Sequence, residues 1–212
     1  MLKIDRLELG PVQTNCYIVS NEAKQCVIFD PGEEAGKIQE VLKSKHLAPL
    51  AILLTHAHFD HIGAVDELRE LYKIPVYLHY KERDFLGLPN LNGSGKYAAL
   101  PDYRVAEADE LITDEQSLEI GPFNMELFHT PGHSPGSVSF YFPQDRFAIV
   151  GDTLFSGSIG RTDLAEGSEQ VLLKSIRESL LTLPEETFLF PGHGPETTPK
   201  QEKQHNPFLR MT

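Results

Sequence analysis

The sequence predicts a mixed α+β fold, and three observations carry the prediction. Each half of the chain opens on strand-like segments, each then contains a stretch with helical apolar periodicity, and Gly, Pro and Asn clusters separate the two kinds of segment. At 212 residues, with 40% hydrophobic and 24% charged side chains, the chain has room for one full core or two small ones. We take it as a single domain spanning 1–212.

In order, residues 2–9, 15–20 and 26–29 read as short strands, the last closing on the turn Asp30-Pro31-Gly32. A helix over 33–45 follows, with Ile38, Val41 and Leu42 on one face and the Glu33-Glu34 pair favouring its start. Residues 51–54 form a short continuous apolar run, as expected of a strand covered on both faces. Residues 63–72 are periodic through Val65, Leu68 and Leu71, and 76–78 give another strand. The stretch Leu86 to Arg104 is the least regular and reads as a surface loop, a candidate wall facing the substrate. Strands are then expected near 126–130, 138–142 and 147–150. A helix over 168–181 has Ser168 as its N-cap and Leu172, Leu173, Ile176 and Leu180 as its buried stripe, and 188–190 is the last strand.

The net charge of −12 opposes phosphate backbones and anionic membrane surfaces, so neither nucleic acid nor membrane is an expected partner. Residues 1–10 lack the apolar core of a signal peptide, and no run approaches the length of a membrane helix. A cytoplasmic protein whose mature chain starts at Met1 is expected, acting as a monomer or homodimer. Cys16 and Cys26 lie in separate apolar segments without a Cys-x-x-Cys spacing, which points to two buried thiols with no chemistry of their own.

The chemistry concentrates in Thr55-His56-Ala57-His58-Phe59-Asp60-His61, directly after the apolar run. On a continuing strand the side chains of His56 and His58 share one face and can grip one ion, while Asp60 and His61 follow on the turn and can serve a second. Three more candidates repeat the context of an apolar strand followed by glycine: His133 after Pro131-Gly132, Asp152 after Gly151, and His193 after Pro191-Gly192. Seven ligands are too many for one ion and suit two. Imidazole and carboxylate favour zinc, with iron or manganese as alternatives, over calcium, and the lack of thiolates argues against a closed structural site. A carboxylate bridging two ions leaves room for a hydroxide between them, a nucleophile made without serine or cysteine.

These segments, together with Thr14-Asn15-Cys16-Tyr17, Phe29-Asp30-Pro31-Gly32, Thr130-Pro131-Gly132-His133-Ser134-Pro135-Gly136 and Pro191-Gly192-His193-Gly194, resemble the metallo-β-lactamase fold superfamily and its glyoxalase II-like branch. The resemblance implies a four-layer αββα sandwich with metals at one edge. It implies that His56, His58 and His133 hold one divalent ion, that Asp60, His61 and His193 hold the other, and that Asp152 bridges them. It also implies that Asp30 orients the ligands from behind, although a plain turn role before Pro31-Gly32 is the competing reading. Ser158 to Asp163 is similar to a segment of short glyoxalase II-like hydrolases and of persulfide dioxygenases, and His205-Asn206-Pro207-Phe208 resembles the short hydrolases. The helical C-terminal domain that full-length glyoxalase II uses for glutathione is not expected here.

The implied activity is hydrolysis of small thioesters resembling S-lactoylglutathione, with catalytic roles for Asp60 and Asp152. A persulfide dioxygenase-like enzyme with one iron on His56, His133 and Asp152 is the alternative, and a lactonase of the same fold is another. Arg161 and Asp163 are candidates for a substrate loop, or for an ion pair that holds it. The remaining histidines have bland readings: His46 at a helix C-terminus, His79 and His205 as structural groups, and His129 facing either core or cleft.

Overall fold

The computed structural model describes residues 1–98, 100–113 and 117–210. Two compact units make up the chain, Met1–Thr113 and Asp114–Thr212. Each is a β-sheet with helices, as the α+β prediction requires.

The N-terminal unit carries six strands, β1 (Lys3–Leu9), β2 (Thr14–Ser20), β3 (Gln25–Phe29), β4 (Ala48–Leu53), β5 (Val76–His79) and β6 (Glu110–Ile112), paired in that order. The first three run antiparallel, and from β3 to β6 the pairing is parallel. Parallel neighbours need crossovers, and helices α1 (Ala35–Lys45) and α3 (Val65–Tyr72) supply two of them, with the short α2 (Phe59–Ile62) ahead of α3. Ile18, Ile28, Ile52, Val76 and Leu78 alternate onto the sheet face that packs against Ile38 and Leu42 of α1 and Val65 and Leu68 of α3. In β4, Ala51, Ile52 and Leu53 are all fully buried, which accounts for its unbroken apolar run.

The helix expected from Glu33 begins at Ala35 instead, because Glu34 takes a left-handed conformation (φ 52°). Glu33 and Glu34 do not form a generic acidic start. Glu33 accepts the Tyr103 hydroxyl, and Glu34 pairs with Lys37 (2.6 Å) and accepts from the Gly10 amide (3.0 Å). Leu71, expected on the buried face of α3, is 52% exposed at the last turn. The stretch Leu86 to Arg104 is more ordered than a surface loop. It contains α4 (Pro89–Asn92) and a 3₁₀ turn (Ser94–Lys96) organised by the buried Asn92. That amide donates to the carbonyls of Phe85 (3.0 Å) and Tyr103 (2.9 Å) and accepts from Ser94. A single side chain thus closes both ends of the excursion.

The C-terminal unit has a five-stranded sheet in the order β13-β10-β9-β8-β7, built from β7 (Ser117–Ile120), β8 (Phe123–His129), β9 (Val138–Phe142), β10 (Phe147–Gly151) and β13 (Phe188–Pro191). Only the β10–β13 pair is parallel, and helix α5 (Glu169–Glu178) lies in the connection between those strands. Leu172 and Ile176 of α5, followed by Leu180, pack on Tyr141, Ala148, Val150 and Leu189. Ser168 caps α5, its side chain accepting from the Val171 amide at 3.5 Å. A small hairpin, β11 (Leu154–Phe155) with β12 (Ser158–Ile159), and a last helix, α6 (Pro199–His205), complete the unit. The sequence patterns passed over β6, β7 and α6. The first two are three or four residues long, and α6, PKQEKQH, has no apolar stripe.

Candidate metal centre

In the N-terminal unit the candidate ligands follow β4. The strand ends at Leu53, so His56 and His58 do not share a strand face as expected but sit in the irregular link before α2. Their rings meet edge to face with centroids 4.8 Å apart, and the His61 ring is 4.0 Å from that of His56. Asp60 and His61 lie within α2, a helical turn where the sequence suggested a simple turn. All three imidazoles are buried, at 2% exposure or less.

Buried polar rings need partners, and Asp30 organises them. It ends β3 in a left-handed conformation (φ 47°) and is 1% exposed. Its Oδ1 accepts from the Thr55 amide (2.8 Å), its Oδ2 accepts from the Thr55 hydroxyl (2.7 Å), and Oδ2 also stands 3.1 Å from His61 Nδ1. Because the Thr55 hydroxyl proton points to Asp30, its oxygen is available to His56 Nδ1 at 3.1 Å. This network assigns the ring proton of His56 to Nδ1 and leaves its Nε2 as the nitrogen that can donate to a metal, while Asp30 stands beside the ring of His61. Asp60 Oδ2 lies 3.6 Å from His61 Nε2 and accepts from Thr14 Oγ1 at 2.8 Å. Between the two histidines of the motif, the Ala57 amide donates to the buried Glu82 carboxylate at 2.5 Å. The α2 backbone also presses on Gly32, where any Cβ would stand 1.8 Å from the Asp60 carbonyl oxygen.

The C-terminal unit holds the other three candidate ligands, with one Asp152 oxygen near both imidazoles. Asp152 Oδ2 is 3.6 Å from His133 Nε2 and 3.5 Å from His193 Nε2. These separations exceed a hydrogen bond. They match the edge of a tetrahedron of donors about 2.1 Å from a metal, which is about 3.4 Å. His133 Nδ1 faces the Arg161 carbonyl at 2.8 Å, so its Nε2 is the end turned to Asp152. Gly160 abuts the Asp152 carbonyl, where a Cβ would stand at 1.9 Å. Both half-sets therefore fit divalent metal by donor type, and each pairing of Asp152 with an imidazole fits by spacing as well.

The remaining candidates separate cleanly. The Arg161 guanidinium is held in a two-point pair with Asp163, 2.7 Å at each contact, on the surface. His129 Nε2 contacts the Pro135 carbonyl at 2.9 Å, inside the turn that carries His133. His79 is buried and caps the 3₁₀ turn Tyr80–Phe85, His46 caps the C-terminus of α1, and His205 ends α6 exposed. Sequence reasoning missed Thr55 and Glu82. The first adjoins the histidine motif, whereas nothing local marks the second. Cys16 and Cys26 are free and buried, and burial drives the Cys26 thiol up to about 12.

The Metallo-beta-lactamase superfamily profile matches residues 9–193. The chain belongs to that superfamily. A probable metallo-hydrolase, YqgX of Bacillus subtilis, is 53% identical over 98% of each chain. The hydroxyacylglutathione hydrolase GloC of Haemophilus influenzae is 34% identical, again over 98% of each. Among solved structures, the BLEG-1 B3 metallo-beta-lactamase superposes with a TM-score of 0.96 at 53% identity, covering 98% of this chain and 100% of the other. TTHA1623 in a di-iron-bound form gives 0.85 at 41% identity, covering 97% and 100%. The protein thus has the metallo-beta-lactamase fold, is a metallo-hydrolase of that superfamily, and takes divalent metal as its cofactor. Among the described residues, no helix is long and apolar enough to cross a membrane.

Proposed function

We propose that this chain, acting as one domain, is a dinuclear metal-dependent hydrolase of small thioesters. In this reading His56, His58 and His133 would hold one ion and Asp60, His61 and His193 the other, with Asp152 serving both, zinc being the first candidate and iron the second. The observation that carries it is the placement of Asp152 Oδ2 within 3.6 Å of two imidazole Nε2 atoms, the arrangement a bridging carboxylate requires. When bound, such ions supply Lewis acidity and a water whose pKa is drawn toward neutrality.

The protein's own groups do the rest. Thr55, oriented by Asp30, fixes the tautomer of His56, Asp30 places its charge beside His61 Nδ1, and the Arg161 carbonyl fixes the tautomer of His133. Asp60 accepts from Thr14 Oγ1 at 2.8 Å, which anchors its carboxylate beside His61. Phe59, with Tyr97 at 6.0 Å and Tyr103 at 5.7 Å between ring centroids, places an aromatic wall beside Asp60 from the Leu86 to Arg104 excursion, suited to an apolar acyl or thiol group. The thioester assignment draws on the hydroxyacylglutathione hydrolase among the relatives. Burial of both thiols, unpaired, fits a reducing, cytoplasmic setting.

A β-lactam is the second candidate substrate, because a 53% identical structure is a B3 metallo-beta-lactamase. Both substrates present an acyl carbonyl to the same nucleophile. Metal analysis of the purified protein, with parallel assays on S-lactoylglutathione, a lactone, a β-lactam and glutathione persulfide, tests the reading. Two equivalents of metal with thioester turnover are expected. One iron with oxygen consumption on the persulfide overturns it.

A further inference from the structure

We propose that Glu202 and Asn206 are positioning residues that act on the metal ligand His133 through the β11–β12 hairpin. The proposal rests on the dinuclear reading above for what His133 does, and on the C-terminal unit alone for its geometry.

Glu202 is a carboxylate with no exposed surface, on a short helix whose other buried residue is Pro199. Such a group is costly to bury unless its lone pairs are taken up. Here they are: Oε2 accepts from the Gly157 amide (3.0 Å) and from Asn206 Nδ2 (2.7 Å), and Oε1 accepts the Thr197 hydroxyl. Asn206, equally buried, sends its other amide proton to the Ser158 carbonyl (3.0 Å) and accepts from the Phe208 amide (3.0 Å). Gln201 adds a bond to the Ser156 hydroxyl at 3.2 Å. Three consecutive residues of the hairpin tip, Ser156, Gly157 and Ser158, are therefore tied to α6 and its C-cap Asn206.

The tip leads directly to the site. Gly160 follows β12, donates to the Thr153 carbonyl (3.4 Å) and lies against the backbone of Asp152. The next residue, Arg161, offers the carbonyl that holds His133 Nδ1 at 2.8 Å. Only Ser158, Ile159 and Gly160 separate the Gly157 amide fixed by Glu202 from that carbonyl. The two strands of the hairpin pair at only two positions, Leu154 with Ile159 and Phe155 with Ser158, too few to hold its shape unaided. An apolar residue at 202 would pack α6 at lower desolvation cost but would leave the Gly157 amide and the Asn206 side chain without their acceptor. A buried charge kept on a surface helix is explained by what it fixes in space.

The test compares E202A, N206A and E202Q with the full-length wild type by zinc titration against a competing chelator, well below the melting temperature, alongside thermal melts of the metal-free proteins. Gln keeps an oxygen for Gly157 and Asn206 and turns its NH₂ toward Thr197, whose hydroxyl can rotate to accept, so E202Q should bind zinc as the wild type does. E202A and N206A should each lose about 10- to 100-fold in zinc affinity, the scale set by loss of support behind a ligand. N206A deletes no charge, and it carries the comparison if E202A does not fold. If both alanine variants bind zinc with wild-type affinity and merely melt earlier, the clamp is only structural, and the dinuclear reading stands without it. If the wild type binds no zinc or other divalent ion, the dinuclear reading itself fails and takes this proposal with it.

Discussion

Asp30 Oδ2 stands 3.1 Å from His61 Nδ1, with both side chains at 1% exposure or less. The same carboxylate takes two hydrogen bonds from Thr55, which in turn contacts His56 Nδ1, so one buried aspartate backs two candidate ligands. Asp30→Ala should therefore weaken metal binding by about 10- to 100-fold without removing a ligand. Asp30→Asn should be intermediate, because its amide oxygen preserves one acceptor. Competitive metal titration of the two variants measures the order.

Asp152 differs in kind, since the reading makes it a ligand to both ions. Asp152→Ala should deplete bound metal and abolish turnover on any substrate the wild type accepts, and metal analysis with the thioester assay tests both. A variant with full turnover would remove the basis of the dinuclear reading. Replacement by Asn, which keeps shape and loses charge, should retain fold by circular dichroism and still lose metal.

Much of this was legible in the sequence, and the pattern of what was not is physical. The seven candidate ligands stand out because His and Asp follow strand ends at short spacing, and the strands are visible because β4 and β10 are apolar throughout. Helix α1 is visible because Ile38 and Leu42 recur on one face. Glu82 and Glu202 are invisible for the opposite reason. Each is an acidic residue in a polar-looking helical turn, and only tertiary structure places it at zero exposure against a distant backbone amide. Asn92 escaped likewise, so the segment it organises looked like open loop. Local patterns report what a residue is, whereas burial of a lone polar group depends on what arrives from elsewhere in the chain.

Arg161 contributes through its backbone. Its guanidinium is engaged by Asp163 at the surface, where such a pair is worth less than about 1 kcal/mol. Arg161→Ala should keep wild-type metal content, because the carbonyl facing His133 remains, and should shift the melting temperature little. A rise in KM at unchanged metal content would assign the side chain to the substrate; kinetics and metal analysis on the same preparation separate the two effects.

The two thiols make the last prediction, and its sign follows from burial. Removal from water disfavours the thiolate, so Cys16 is raised well above an ordinary thiol and Cys26 rises from 9.0 to about 12, with the Asp5 carboxylate a smaller contributor. In the unfolded chain both thiols ionise near their ordinary value. The neutral thiol of Cys26 therefore contributes stability that is fully present below pH 9 and is lost as pH rises from there toward 12. Native protein at pH 8 should resist alkylation by iodoacetamide at both positions, and denatured protein should react at both, as counted by intact mass. Cys26→Ser should flatten the fall in melting temperature above pH 9 relative to the wild type, since the hydroxyl does not titrate there. Rapid labelling of the native protein at pH 8 would contradict the burial on which the argument depends.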